Sequence, residues 1–323
     1  NTVEYSFGVD AEGLALLGLH RPGRWDLIDE MEEDVLASQR VNDVRRQVRD
    51  WTRSEGLSVY DRGAGEGAGG LLRNLVVREG RRTGQLQARL VTSPGELRTA
   101  ELTAAVGAGS VLWTRPTALG ESTREGHTEV LEGTEWIEEE LLGLRFRISP
   151  EAFFQTNTEM AEVLYGAVTE LAGLTGRERV LDLYCGIGTI ALALALDARE
   201  VFGIEIVERA VADAIENARL NGIDNARFYA GDVRRAMRPL LEESGPPDVV
   251  VVDPPRAGLS QKAVRRVLEA RARRLVYVSC NPTTLAPNAR QMVDGGYLLK
   301  TVRPVDMFPQ TPHIECVALL ERG

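Results

Sequence analysis

The sequence predicts an α/β protein: a doubly wound, mostly parallel sheet with an antiparallel edge strand, preceded by a smaller α+β domain. Three observations carry this prediction. From about residue 159 onward, short apolar runs alternate with helix-length segments, the order produced when each strand reaches a parallel neighbour through a crossover helix. The runs VVVVD and LVYVS are continuously apolar, as central strands covered on both faces must be. Ahead of them, one long helical pattern is followed by alternating strand-like segments with no strand–helix rhythm.

In chain order, a helix is predicted from about Ala37 to Glu55, then a Gly-rich turn over Gly63–Gly70, then strands in LRNLVVRE, QLQARLVT, SVLWTRPT and RFRI. The turn GAGEGAGG lacks the Lys-Ser/Thr of a phosphate-cradling loop and reads as a hairpin connection. The acidic run Glu132, Glu135, Glu138, Glu139 and Glu140 leads into LLGLRFRISP and marks the change of character, giving domains over 1–145 and 146–323. Strands are then expected in RVLDLY, EVFGIE, ARFYAG, DVVVVD and RLVYVS with helices between them. GYLLKTVRPVDMF and IECVALLER follow as the strand pair at the sheet edge.

Bulk properties narrow the class. A chain of 323 residues, 43% hydrophobic and 27% charged, is long enough for two domains and too apolar for disorder. No run of about 18 apolar residues occurs, and NTVEYSFGVD lacks the basic and apolar regions of a signal peptide, so a cytoplasmic, monomeric protein with no membrane partner is expected. Asn1 in place of Met suggests either a chain that begins inside a longer gene product or amino-terminal processing. The three cysteines, Cys185, Cys280 and Cys316, are too few and too far apart for a disulfide framework or a zinc site, so no metal is expected. A net charge of −10 weighs against a nucleic-acid surface without excluding one. The only lysines are Lys262 and Lys300. Arginine clusters such as Arg45, Arg46 and Arg49, or Arg265, Arg266, Arg271, Arg273 and Arg274, read either as local basic faces or as solvated helix surfaces.

The segment VLDLYCGIGTIALALA has the strand, glycine turn and helix of a nucleotide-binding crevice. Gly186 and Gly188 allow close backbone approach, and the following helix offers free amides. Glu205 ends the next strand near the ~20-residue distance at which an acid meets ribose hydroxyls. The turn starts with Asp182 and departs from the dinucleotide pattern. Its D-x-x-x-G-x-G form resembles the first motif of the class I methyltransferases, Rossmann-like enzymes that bind S-adenosylmethionine. Asp232 in AGDV fits either the adenine-contacting acid of that fold or a helix N-cap.

Asp253-Pro254-Pro255-Arg256 closes the fourth strand of the parallel series. Amino-group methylators usually carry an aromatic residue where Arg256 stands. Cys280 ends the next strand among Ser279 and Asn281, just ahead of a helix whose amino terminus is expected to favour the thiolate. Cys185 and Cys316 read as small core hydrophobes. In Pro312-His313-Ile314-Glu315-Cys316 a carboxylate leads into an apolar strand and must be paired or functional, while His313 reads as structural or RNA-facing.

FFQTN, DLYCGIGT, GIE, DPPR, SCNP and HIE stand in the order and rough spacing of the RNA 5-methyluridine methyltransferase family, which modifies transfer RNA and large-subunit ribosomal RNA, and the chain closely resembles that family from about Phe146 to its end. GLLRNLVVRE carries a looser likeness in the first part. The resemblance implies cofactor binding by Gln155, Tyr184, Thr189, Glu205 and Asp253, nucleophilic attack by Cys280, and proton removal by Glu315. It implies RNA as partner and an unstacked uridine as substrate. Two family features are expected to be lacking, an amino-terminal RNA-binding barrel and a four-cysteine iron–sulfur cluster, since only Glu32, Glu33 and Asp34 stand where the last cluster cysteine should fall. The rival readings are a base amino-group or small-molecule methyltransferase, which needs no cysteine, and a catalytically idle RNA-binding paralogue.

Overall fold

A computed structural model describes residues 2–61, 69–116 and 126–323. Most of the predicted Gly-rich turn, 62–68, lies outside the described residues. The chain divides into two compact units, Asn1–Glu139 with Ser149–Glu151, and Glu140–Ile148 with Ala152–Gly323. The chain passes between them three times, at 139/140, 148/149 and 151/152.

The first unit contains β1 (Thr2–Val9), β2 (Ala15–Arg21), β3 (Arg24–Asp29), α1 (Gln39–Ser54), β4 (Leu72–Glu79), β5 (Leu86–Thr92), α2 (Thr99–Ala105), β6 (Ser110–Pro116) and β7 (Gly126–Glu132). Its sheet runs β3-β2-β1-β4-β5-β6-β7. Ser38 caps α1 by accepting the Val41 amide at 3.3 Å, so the helix starts just inside the predicted range. Val41, Val44, Val48 and Trp51 recur at helical spacing and bury against Tyr5, Phe7, Leu17 and Leu75 of the sheet. Arg45 departs from both sequence readings. It is fully buried, its guanidinium donating to the carbonyls of Leu17 at 3.2 Å and Glu32 at 2.9 Å, because its place in the helix faces the core. Asp34 is buried as well and accepts the Tyr5 hydroxyl at 3.0 Å.

β8 (Ile137–Leu141) and β9 (Leu144–Ile148) form a two-stranded sheet. The second unit continues with α3 (Thr158–Ala172), β10 (Arg179–Leu183), α4 (Thr189–Ala195), β11 (Glu200–Glu205), α5 (Glu208–Leu220), β12 (Ala226–Ala230) and α6 (Val233–Ser244). It ends with β13 (Val249–Val252), α7 (Gln261–Ala270), β14 (Arg274–Ser279), α8 (Pro282–Asp294), β15 (Tyr297–Val305) and β16 (Glu315–Arg322). The sheet order is β12-β11-β10-β13-β14-β16-β15, parallel from β12 to β14 and antiparallel at β16 and β15. This is the predicted α/β architecture of a class I methyltransferase. Val249 to Val252 have no exposed surface, because helices cover both faces of the central strands. Among the described residues no helix is long and apolar enough to cross a membrane.

Candidate active site

Chain order reverses between β10 and β13, and a doubly wound sheet opens its ligand crevice at the carboxyl ends of the strands beside such a point. β10 ends in Asp182 and Leu183. Tyr184 then takes a left-handed φ of 67°, followed by Gly186 at 53° and Gly188 at 87°, and Thr189 opens α4. A left-handed non-glycine costs roughly 1–2 kcal/mol, and the Tyr184 amide is held by the Ile204 carbonyl at 2.9 Å. Glu205, closing β11, reaches across to the turn: one carboxylate oxygen accepts the Gly186 amide at 3.2 Å and the other the Val207 amide at 2.9 Å. A Cβ on Gly186 would meet no atom within 4 Å, so the space before the turn is open. A Cβ on Gly188 would lie 3.2 Å from Ala214 and Phe228, so that glycine serves packing as well as backbone geometry.

Asp182 is fully buried and neither carboxylate oxygen has a hydrogen-bond partner. Burial, then the charge of Asp253 and more weakly that of Glu205, hold its pKa well above the usual carboxylate range. The Ala191 amide opposes them without reaching hydrogen-bond geometry. An orphaned buried carboxyl lacks the donor that its burial requires, and the open space over Gly186 is the fit expected of a polar nucleoside cofactor. Gln155 is buried between β9 and α3. Tyr165, on the buried face of α3, was not singled out by the sequence. Its hydroxyl is acted on by Thr189 and Gln155 and by the charges of Asp253 and Asp182, while burial raises its pKa. Only that hydroxyl distinguishes it from the apolar positions Leu164 and Val168 beside it, so no spacing signal could have found it. Asp232 caps α6, accepting the Arg234 amide at 2.8 Å, and the Arg234 guanidinium holds its pKa down at about 2. Its charge still reaches Tyr184, at the crevice rim.

The reacting groups gather one strand further along. The β14–β16 ladder ends at the Ser279–Cys316 pair, with Cys280 directly after the one residue and Glu315 directly before the other, and the charge of Glu315 reaches the Cys280 thiol. Asn281 caps α8, with Pro282 at its first position, and its side-chain amide donates to the Arg256 carbonyl at 3.2 Å, tying the cysteine segment to the DPPR loop. Asn288 accepts the Leu259 amide at 2.8 Å and the Tyr277 hydroxyl at 2.9 Å, fixing the far side of that loop. Glu315 is 6% exposed, and burial raises its pKa to about 7. Asp253 keeps part of its surface open although protein surrounds it closely, and burial together with the Glu315 charge raises it to about 7 as well. Their repulsion is mutual, so the pair loses its protons in successive steps.

A model of the family described as tRNA (uracil-5-)-methyltransferase matches residues 123–323. RNA methyltransferases of Caldanaerobacter subterraneus and Gloeobacter violaceus, themselves uncharacterized, are each 40% identical to the chain over its full length, covering 72% and 70% of those proteins. The crystal structure of the Pyrococcus abyssi tRNA (uracil-54, C5)-methyltransferase in complex with S-adenosyl-L-homocysteine is similar over 99% of this chain and 75% of that one, with a TM-score of 0.81 and 30% identity. The chain belongs to the tRNA (uracil-5-)-methyltransferase family. As a member of that family it is an RNA methyltransferase whose cofactor is S-adenosylmethionine. One expectation for this uracil-5-methyltransferase is corrected. The helix after Cys280 does not leave a thiolate at rest, because burial and the charges of Glu315 and Asp253 push the thiol up, and only the cysteine's backbone surroundings and Arg256 pull it down. Cys185 and Cys316 are buried, and Arg256 donates to Nδ1 of His313 at 3.4 Å, a contact the spacing did not foretell.

Proposed function

We propose that this enzyme methylates C5 of a uridine in ribosomal or transfer RNA, with Cys280 as nucleophile and Glu315 as general base. The observation that supports the reading is the end of the β14–β16 ladder at Ser279 and Cys316, which Cys280 follows and Glu315 precedes, with Asp253 within electrostatic reach of both. S-adenosylmethionine supplies an electrophilic methyl group. Gly186 and Gly188 admit the cofactor to the backbone, and Gln155, Tyr184 and Thr189 line the same turn. Glu205 already accepts two amides, yet a carboxylate has about four acceptor positions, which leaves room for ribose hydroxyls. Asp232 suits the adenine edge, Asp182 takes the donor it lacks, and Asp253 orients cofactor or uracil.

C5 of uracil is a poor nucleophile until the ring is activated. Cys280 first loses its thiol proton to solvent; attack of its Sγ on C6 then forms the S–C6 bond and shifts the C5=C6 electron pair toward C5 and O4, so that C5 accepts the methyl group as S-adenosylhomocysteine leaves. Glu315 then takes the C5 proton. The released pair restores C5=C6, and Cys280 leaves as the thiolate.

Trapping tests both roles. Cys280→Ala should bind RNA but give no complex that survives denaturing electrophoresis, whereas Glu315→Gln should attack, methylate and stall as a covalent adduct. RNA carrying 5-fluorouridine should trap the wild-type protein with one labelled methyl group, because C5 then has no proton to lose. An adduct formed by Cys280→Ala, or a fluorinated adduct without methyl label in the presence of cofactor, would falsify the assignment.

A further inference from the structure

We propose that the first turns of α6 and α7 form a cationic surface that takes the phosphate backbone of the substrate RNA beside the target uridine. The inference rests on the RNA reading above and adds where the RNA lies. α3 and α5 each carry a glutamate in the first turn, Glu159 and Glu208, as a helix dipole favours. α6 and α7 carry none. Arg234 and Arg235 open α6, and Lys262 and Arg265 stand in the first turns of α7, the end of a helix where cations are disfavoured. Arg266 of α7 donates to the Arg234 carbonyl at 3.3 Å, which joins the two turns.

Pairing separates this cluster from the other exposed cations on helices of this unit. Arg209, Arg238 and Arg290 each have a carboxylate four residues on, Asp213, Glu242 and Asp294. Arg235, Lys262 and Arg265 are exposed and have no ion-pair partner among the described residues. The buried face of α7, Ala263, Val264 and Val267, leaves Lys262 and Arg265 together on the solvent side. In a chain of net charge −10, three exposed cations without an ion pair among the described residues, on two joined helix starts where the nearby acid, Asp232, is already paired with Arg234, suit a polyanion.

Position selects RNA. α6 follows the carboxyl end of β12, and α7 follows the loop after β13, so both start at the sheet edge that carries Asp253 and Cys280. A uridine unstacked into the crevice brings its flanking nucleotides along that edge. Arg227 and Arg273, also exposed and unpaired among the described residues, lie at the amino ends of β12 and β14, roughly 15 Å away along the strands. They provide a matched control.

The test compares R235E/K262E/R265E with R227E/R273E and wild type. It measures binding of an unmodified transfer RNA transcript over a range of potassium chloride, methyl transfer to that transcript and to ribosomal RNA, and S-adenosylhomocysteine binding. The triple variant should lose about tenfold or more in RNA affinity and lower the salt slope by roughly two, the share of three phosphate contacts. Its cofactor affinity should be unchanged, and the control pair should bind RNA like wild type. Wild-type affinity and slope in the triple variant, or an equal loss in the control pair, overturns the surface. A wild-type protein that binds the transcript but methylates neither RNA overturns the functional reading alone, and one that binds neither RNA overturns both.

Discussion

The Cys280 thiol has two carboxylates within electrostatic reach, Glu315 and Asp253, and one cation, Arg256. Burial and the carboxylates keep the proton on sulfur at rest, so attack on C6 requires that proton to leave after substrate has entered. The balance is testable because its parts have opposite signs. Arg256→Ala should raise the thiol pKa and Glu315→Gln should lower it. Both are readable as shifts in the pH dependence of alkylation at Cys280, followed by peptide mapping, and shifts in the same direction would remove the electrostatic account. Turnover has its own pH dependence. Glu315 must be ionised to accept the C5 proton after methyl transfer, so kcat should climb as pH rises through about 7, and kcat/KM should climb at higher pH as the thiol deprotonates. A kcat profile flat from pH 6 to 8 would exclude Glu315 as the base.

Among the elements, the turn between β10 and α4 depends on Glu205 as much as on its glycines. Glu205→Ala removes the acceptor of the Gly186 and Val207 amides together with any ribose contact, so it should weaken S-adenosylhomocysteine binding by roughly 1–3 kcal/mol in calorimetry. Unchanged binding would end the ribose assignment. Gly188→Ala forces a Cβ at a φ of 87° and 3.2 Å from Ala214 and Phe228, and should cost about 1–2 kcal/mol in urea unfolding. What the sequence made legible at this scale follows the range of the signal. The central strands β13 and β14 were readable because burial on both faces leaves a continuous apolar run, and Glu205 because its distance from the glycine turn is local. β1 to β3 were not read: β3, RWDLID, has no buried residue and so no alternation to see, and in β1 and β2 the buried residues are consecutive or mixed with small ones. The pairing of β14 with β16 joins residues 37 to 47 positions apart in sequence, and no local pattern encodes which residues come to face each other. Tyr165 escaped for the opposite reason, being one more bulky residue on a buried helical face.

For the whole molecule, the site is a local departure from an otherwise well-paired structure. Exposed arginines are mostly matched with acids, whereas Asp182, Asp253 and Glu315 crowd the crevice without salt bridges among the described residues, and each has a raised pKa. Such a site stabilises the protonated acids, and its effect on folding has a definite sign. Glu315 has a folded pKa of about 7 against a reference of 4.5. Between those values the folded chain keeps a proton that the unfolded chain releases, so the contribution of Glu315 is fully present below about pH 4.5 and is lost as pH rises through 7. The span corresponds to about 3 kcal/mol, of which about 1.4 is already lost at pH 5.5. Glu315→Gln cannot ionise and escapes the loss. Acids with lowered pKa values, such as Asp232, follow the opposite trend in both proteins and cancel in the difference. Urea unfolding of the cofactor-free proteins should therefore show the variant gaining on wild type by about 2 kcal/mol more at pH 8 than at pH 5.5. An advantage that is the same at both pH values would mean that Glu315 ionises normally in the folded protein, and that its fitness as a base near neutral pH has another origin.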